Sequence, residues 1–380
     1  MPGSQSSLHK LLLSDDSDDA LDKQLQDSLV SSLWPSWKNG DNSAYFVYFK
    51  HECETWMRSG IYIAIETYQD FINLTFHLKN NRTSPRNSSS ILAFFPSENE
   101  KRPSFAQSNT PDVTNLPLKD RPRDCDRNAI EGSIFLTVRL WLMLNASSSL
   151  TEDIVQPGRL KLDWPEDQSL DDFITTHFPK SDLGPKVSQW PSSVHGHSLE
   201  RIGGFDIAWT DHLGNHLYLD EDTDTISIYH HVHFLQGLQT KKASEDVLPD
   251  RLLLETLQSL ALLIPRAKRD SKAWFDRART ESTTFIDKHA GDVPQDPSWA
   301  RSPENYKYWG QRLIAIKEAY DASEPKDLGQ WWHDRRRKVQ WYTFWVAILV
   351  LILTIVFGLI QSVTGIMQVY YTTHPVQQPS

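Results

Sequence analysis

A chain of 380 residues with 39 % apolar and 23 % charged residues is long enough for one large or two modest domains. Its apolar content excludes wholesale disorder. A formal net charge of −10 leaves no basic footprint for nucleic acid, and two cysteines, Cys53 and Cys125, exclude a disulfide framework and a four-cysteine zinc site.

Residues 1–16 read as a disordered, acidic N-terminus. The apolar cluster Leu11 to Leu13 is followed by Asp15, Asp16, Asp18 and Asp19, so neither a secretory signal nor a transit peptide is expected. Segment 17–78 is expected to fold. Leu21, Leu25, Leu29 and Leu33 recur every fourth residue and predict a short amphipathic helix ending near Trp34-Pro35. Residues 44–78 are rich in aromatic and β-branched residues, which leaves helix and strand both open. Residues 79–127 are mostly Asn, Ser, Pro and charge around Ile91 to Phe95, and read as a polar surface loop.

Residues 128–265 are expected to form an α+β core. In Phe135 to Leu144, Val138, Leu140, Leu142 and Leu144 alternate with Thr137, Arg139, Trp141 and Met143, which predicts a strand. Leu160, Leu162 and Trp164 do the same. Ser169, with Asp172 three residues on, predicts the cap of a helix whose apolar face is Leu170, Phe173, Ile174 and Phe178. Residues 204–231 predict a three-stranded β-meander turning at Asp211 to Asn215 and at Asp220 to Asp224. Leu253, Leu257, Leu260 and Ile264 predict a helix after Pro249. Within a helical juxtamembrane region, 266–338, Trp274, Ala278 and Phe285 mark one helix. Ser302-Pro303 opens another, with Trp309, Leu313, Ile316 and Tyr320 on one face.

No Asp, Glu, Lys or Arg occurs from Val339 to Ser380. Thirteen of the 17 residues from Phe344 to Ile360 are Leu, Ile, Val or Phe. At about −0.3 to −0.6 kcal/mol each near the bilayer centre, they favour insertion by about 4–8 kcal/mol. A transmembrane helix over 341–367 is therefore predicted, with a short tail at 368–380. Arg335, Arg336, Arg337 and Lys338 precede it, and only His374 titrates beyond it, so the positive-inside rule places the N-terminal domain in the cytosol. Trp341 and Trp345 suit an interfacial aromatic belt. The strongly apolar segment and uncharged tail point to the endoplasmic reticulum or plasma membrane. Thr354, Gly358, Gln361, Gly365 and Gln368 follow a 4-3-4-3 spacing, a seam for self-association or for a partner transmembrane helix.

Several stretches carry a resemblance: Ile134 to Asn145, Arg201 to Leu219, Ile228 to Leu235, Glu255 to Pro265 and, most specifically, Arg335 to Val369. Together they resemble a group of filamentous-fungal single-pass membrane proteins without an assigned activity. The resemblance covers most of 130–370 and implies architecture and topology only.

Seven of the 14 histidines fall between His195 and His233. His212, His216, His231 and His233 are the weak candidates for metal ligands. His230 and His231 would face opposite sides of a strand, so only His231 and His233 would share one. Asp220, Asp222 and Asp224 resemble the start of a calcium loop, but Thr225 and His231 stand where Gly and Glu are needed. Gly196-His197-Ser198 lacks the second Gly of a nucleophile elbow, and His51-Glu52 lacks the closing His of a zinc-protease helix. No phosphate-cradling glycine motif is present. Sequons stand at Asn73, Asn81, Asn87 and Asn145. The expected protein is a cytosolic α+β domain with C-terminal helices and one C-terminal transmembrane helix. It is expected to serve as a membrane-anchored interaction or scaffold module contacting the lipid bilayer, with no cofactor, catalytic residue, nucleic acid or small-molecule ligand to name. An enzyme with a His-rich site at 195–233 and a metal-dependent sensor are the alternatives.

Overall fold

The structure is a computed structural model that describes residues 19–34, 37, 41–61, 63–65, 67–95, 127–148, 160–182, 189–239, 247–323 and 338–373. The leucine stripe forms helix α1, Asp19–Leu33, as its period predicts. The aromatic region resolves into helices α2, Ser43–Ser59, and α3, Tyr68–Asn80. Tyr45, Tyr48, Phe49 and Trp56 are buried at helical spacing, and Gly60 at φ 73° ends α2 in the left-handed region that glycine tolerates. Thr67 and Asp70 form a reciprocal capping box that fixes the start of α3.

Within the expected loop at 79–127, residues 79–95 are described. Residues 79–95 are folded: helix α4, Ser89–Leu92, is capped by Ser88, and Ile91, Phe94 and Phe95 are buried. Arg86 is buried too, paired with Glu131 at 3.4 Å and lying 4.7 Å over the Phe135 ring. Residues 96–126, the rest of that loop, and the acidic 1–16 lie outside the described residues.

A correction concerns Phe135 to Leu144. This stretch belongs to helix α5, Arg127–Leu142, in which every residue from Glu131 to Leu142 is buried. A helix covered on all sides needs no amphipathic period, so an alternation in its sequence carries no strand information. Helices α2 and α3 flank it, and its last carbonyls, which have no intrahelical donor, take hydrogen bonds from its neighbours. The Tyr48 hydroxyl donates to the Arg139 carbonyl at 2.8 Å and the Tyr45 hydroxyl to Leu140 at 3.0 Å.

Short strands β1, Ala146–Ser147, and β2, Leu162–Asp163, pair in parallel. Helix α6, Leu170–His177, begins at Ser169, whose side chain accepts from the Asp172 amide as predicted. Helix α7 spans Gly196–Arg201. Strands β3, Asp206–Thr210, β4, Tyr218–Asp220, and β5, Thr225–Tyr229, occupy the three expected positions but do not form a meander. The order is β3-β5-β4, with β3 parallel to β5 and β4 antiparallel to it. The reason is the β3–β4 link. His212 to Leu217 are buried, not turning in solvent, and the Leu213 amide donates to the Met143 carbonyl at 2.9 Å. The link therefore dives past the end of α5 and delivers β4 to the far edge of β5.

Helix α8, Val232–Leu238, packs Phe234 among Trp34, Trp37 and Tyr45, with ring centroids 5.1–6.1 Å apart. Helices α9, Asp250–Leu263, and α10, Arg269–Glu281, follow; Phe285 lies beyond the end of α10 and is exposed. Helix α11 is the single turn Pro297–Ala300. Ser302-Pro303 opens only a 3₁₀ turn, Pro303–Asn305, and the predicted helix starts later, as α12, Gly310–Ala322. Glu255 of α9 explains the delay. Its buried carboxylate accepts from the amides of Lys307, Tyr308 and Trp309 at 2.7, 2.8 and 3.3 Å, so these three are held as a loop around it.

The chain divides into two compact units, Met1–Glu200 with Phe205–Tyr320, and Arg201–Gly204 with Asp321–Ser380. The described part of the second is chiefly helix α13, Lys338–Thr373, unbroken over 36 residues. It runs past the expected end of the span into the expected tail. Arg335, Arg336 and Arg337 lie outside the described residues.

One glycine measures how tightly the aromatic cluster is packed. A Cβ on Gly237 would stand 2.8–2.9 Å from the Cβ and ring of Trp37. Gly237→Ala is expected to destabilise the protein by about 1–3 kcal/mol, the usual range for overpacking, measured as a lowered urea midpoint.

Candidate functional site

Helix α2 turns Tyr48 and Glu52, one turn apart, toward the C-terminal end of α5. There Arg139 reaches back. Its Nε and Nη2 donate to the two Glu52 oxygens at 2.8 and 3.2 Å, and its Nη1 donates to Asn145 Oδ1 at 2.6 Å. Asn145 is placed by Met143, whose φ of 51° reverses the chain directly after α5. His212 Nε2 lies 3.4 Å from Glu52 Oε1. Burial would raise the Glu52 carboxyl, but the Arg139 charge and the His212 contact outweigh it and hold the group well below the usual carboxylate range.

Beside this pair stands Asp211. His231 Nε2 is 2.7 Å from Asp211 Oδ1 and His230 Nε2 is 3.3 Å from the same atom, with the two imidazole centroids 4.1 Å apart. Burial opposes the Asp211 charge, yet hydrogen bonding to His230 and His231 keeps its carboxyl far below its ordinary value. The His230 tautomer follows from its other nitrogen. Nδ1 accepts from the Asp287 amide at 3.2 Å, so the proton sits on Nε2, facing Asp211. Burial first, and then the neighbouring His230, pushes His231 down to about 4.

Tyr48, His51, Glu52, Arg139, Asp211 and His212 line a polar cavity of about 430 Å³ whose rim includes Thr283, Thr284 and Phe285. Its wall carries two ionised carboxylates and one guanidinium, so it favours a small molecule rich in hydrogen-bond donors or positively charged. Cys53, next in sequence to Glu52, is buried and does not line this cavity. Burial raises its thiol well above the ordinary value, which removes the thiolate a nucleophile requires.

The four histidines singled out by sequence do not form one site. His212 meets Glu52 and His231 meets Asp211. His216 is a structural clasp: Nδ1 accepts from the Tyr229 amide at 3.2 Å, and Nε2 donates to Ser259 Oγ at 2.7 Å. His233, on α8, faces His289. His230 and His231 do not face opposite sides of a strand, because β5 ends at Tyr229 and both rings converge on Asp211. Asp220 to Asp224 is a hairpin turn closed by the Asp222 amide on Asp220 Oδ1 at 3.1 Å. The sequon residue Asn145 is buried and bonded to Arg139.

No protein family, curated protein or solved structure matches this chain.

Sequence reasoning missed Glu52, Arg139, Asn145, Asp211, Asp287 and His289 as members of this network. One signal was available: an arginine in the middle of the apolar run Ile134 to Leu144 requires a buried acidic partner.

The buried imidazoles make stability pH-dependent. His216 and His231 are pushed from an ordinary 6.5 down to about 3 and about 4, burial being the main cause. Below pH 6.5 the unfolded chain binds protons that the folded chain refuses, so stability falls as pH drops from 6.5 toward 4. Glu52 and Asp211, with depressed carboxyls, add a loss below their ordinary values of 4.5 and 3.8. Urea midpoints taken across this range are expected to decline from pH 6.5 downward. His216→Gln, which keeps a donor and an acceptor, is expected to flatten the slope between 6.5 and 4.

Proposed function

We propose that the protein is a single-pass, membrane-anchored interaction module. The observation that carries this reading is the helical stretch Tyr342–Tyr370: 29 residues that contain an 18-residue window of mean hydropathy 2.8, none of that window buried. At 1.5 Å per residue it is about 44 Å long, enough to cross a hydrocarbon core of about 30 Å with a tilt or with its ends among the headgroups. Arg335, Arg336, Arg337 and Lys338 before it, and no charged residue after it, support a cytosolic N-terminal domain. Trp341 and Trp345 then stand at the cytosolic headgroup level. The resemblance of Arg335 to Val369 to fungal single-pass membrane proteins points the same way. The apolar segment and uncharged tail favour the endoplasmic reticulum or plasma membrane. The interaction role rests on the polar network, whose groups are held by one another: Arg139 is engaged by Glu52 and Asn145, and Asp211 by two imidazoles.

The cavity beside Glu52 and Asp211 supports a second reading, an enzyme with its site on that wall. A thermal-shift screen of the full chain against small cationic and polyol compounds separates the two, because the interaction module predicts no shift.

Two experiments test the anchor. The full chain is expected to stay with membranes through alkaline carbonate extraction. In sealed microsomes, added protease is expected to digest the N-terminal domain and spare a small C-terminal fragment. Release by carbonate, or a protected N-terminal domain, contradicts the reading.

The spacing of small and polar residues on this helix also supports a seam. Thr354, Gly358, Gln361, Gly365 and Gln368 fall within an arc of about 80° at 3.6 residues per turn. Gly358 and Gly365 leave open space where a Cβ would be. Close backbone approach at the glycines, with hydrogen bonding by the two glutamines, would pair this face with a second copy or another helix. Cross-linking in membranes is expected to fall when Gly358 and Gly365 become Ile and to persist in Leu353→Ala.

A further inference from the structure

Three further donors meet beside this network. His233 comes from the first turn of α8; Asp287 caps the 3₁₀ turn Lys288–Asp292, and His289 lies within it. One ligand-capable atom of each lies within 4.8 Å of the others, and the two imidazole centroids are 4.1 Å apart. We propose that His233, Asp287 and His289 bind a divalent transition-metal ion of the zinc type. The inference stands apart from the membrane reading.

The donor set suits such an ion. Two borderline imidazole nitrogens with one harder carboxylate oxygen are a set that zinc accepts, and three residues leave a fourth position for water or another ligand. The tautomer of His233 is already the one a ligand needs. Its Nδ1 lies 3.3 Å from the Asp41 carbonyl, which can only accept, so Nδ1 carries the proton and Nε2 keeps its lone pair. Asp287 is fixed in advance. It is 4 % exposed, and its two oxygens accept from the Val232 and His289 amides at 3.0 and 2.9 Å, which leaves lone pairs for a metal. Lys288 would repel a cation here, but its ammonium is paired with Asp41 at 2.8 Å. Asp41 therefore serves twice, orienting His233 through its carbonyl and neutralising Lys288 through its carboxylate.

The arrangement closes with small movements. A tetrahedral ion with bonds of about 2.0–2.1 Å holds its donors about 3.3 Å apart. His233 and His289 are both part-exposed, so closing on an ion asks for small side-chain shifts at the surface while Asp287 stays in place.

Among the described residues, Asp211, His230 and His231 form the other cluster of ligand-capable atoms within 4.8 Å. It is the poorer host. The Asp287 amide on His230 Nδ1 puts the proton on Nε2, the nitrogen facing Asp211. Both imidazoles are also closed from solvent, at 0 and 1 % exposure, so an ion has no open route to them. Residue 287 links the clusters: its amide sets the His230 tautomer and its carboxylate belongs to the proposed site.

The test uses the full chain in detergent micelles, titrated with Co²⁺ and read by visible absorption, then with Zn²⁺ by calorimetry. One ion per chain is expected, with Zn²⁺ displacing Co²⁺. His233→Gln and His289→Gln are each expected to weaken binding by more than the about 10–100-fold that loss of an outer-shell partner costs. Far-ultraviolet circular dichroism checks that both variants fold; their part-exposed positions favour it. Absence of uptake by the folded wild-type chain overturns the proposal. So does undiminished uptake in either variant, and if Asp211→Asn then abolishes that uptake, the ion belongs to the neighbouring cluster instead.

Discussion

The ion pair between Glu52 and Arg139 is the constraint on which the first unit depends. Two charges taken out of water cost several kcal/mol each unless geometry and hydrogen bonds compensate. Here the guanidinium fork meets both carboxylate oxygens, and Asn145 takes a third N–H. Such a pair adds little net stability over an apolar substitute, but it tolerates no other register. A slip of α2 along α5 by one residue would leave two buried charges unpaired, a penalty of about 3–5 kcal/mol. The tyrosines at 45 and 48 reinforce the same register by capping the α5 carbonyls. The turn at Met143 and the buried link through His212 then follow, because Asn145 and His212 must both reach this one centre.

What was legible in the sequence was local. The α1 leucine stripe, the Ser169 cap, the apolar face of α9 and the charge-free C-terminal segment each depend on residues within a few turns of one another. What was not legible depended on distant partners. The strand read into Phe135 to Leu144 failed because burial on every side erases the helical period. The meander failed because strand order is set by where the link from Asp211 to Leu217 packs, against the end of α5, rather than by the strands themselves. The delayed start of α12 was invisible because Glu255, some fifty residues earlier, holds the intervening amides. The histidines drew notice individually, yet their grouping is decided by Glu52, Asp211 and Asp287, which sequence spacing does not connect to them.

The same rule of polar satisfaction operates in two different surroundings. In the first unit, buried carboxylates, imidazoles and amides pair across elements far apart in the chain. In α13 the threonine hydroxyls find partners nearby. Thr354 and Thr364 donate to the carbonyls of Val350 and Ile360, one turn back, at 2.8 and 2.9 Å. A helix that satisfies its backbone and these hydroxyls internally needs no water for them, the arrangement an apolar solvent would demand. The two units thus divide the chain between long-range and short-range solutions of one problem.

That division has a consequence for synthesis. Arg139 lies 87 residues after Glu52. At about 5–20 residues per second, a ribosome needs about 4–17 s to add the arginine once the glutamate has been made. Throughout that interval α2 carries a carboxylate that it cannot bury, beside aromatic rings that favour burial. The N-terminal helices are therefore obliged to wait, solvated or held by a chaperone, until α5 has left the exit tunnel. A nascent chain arrested before residue 139 should expose those aromatics, and one arrested well beyond it should not.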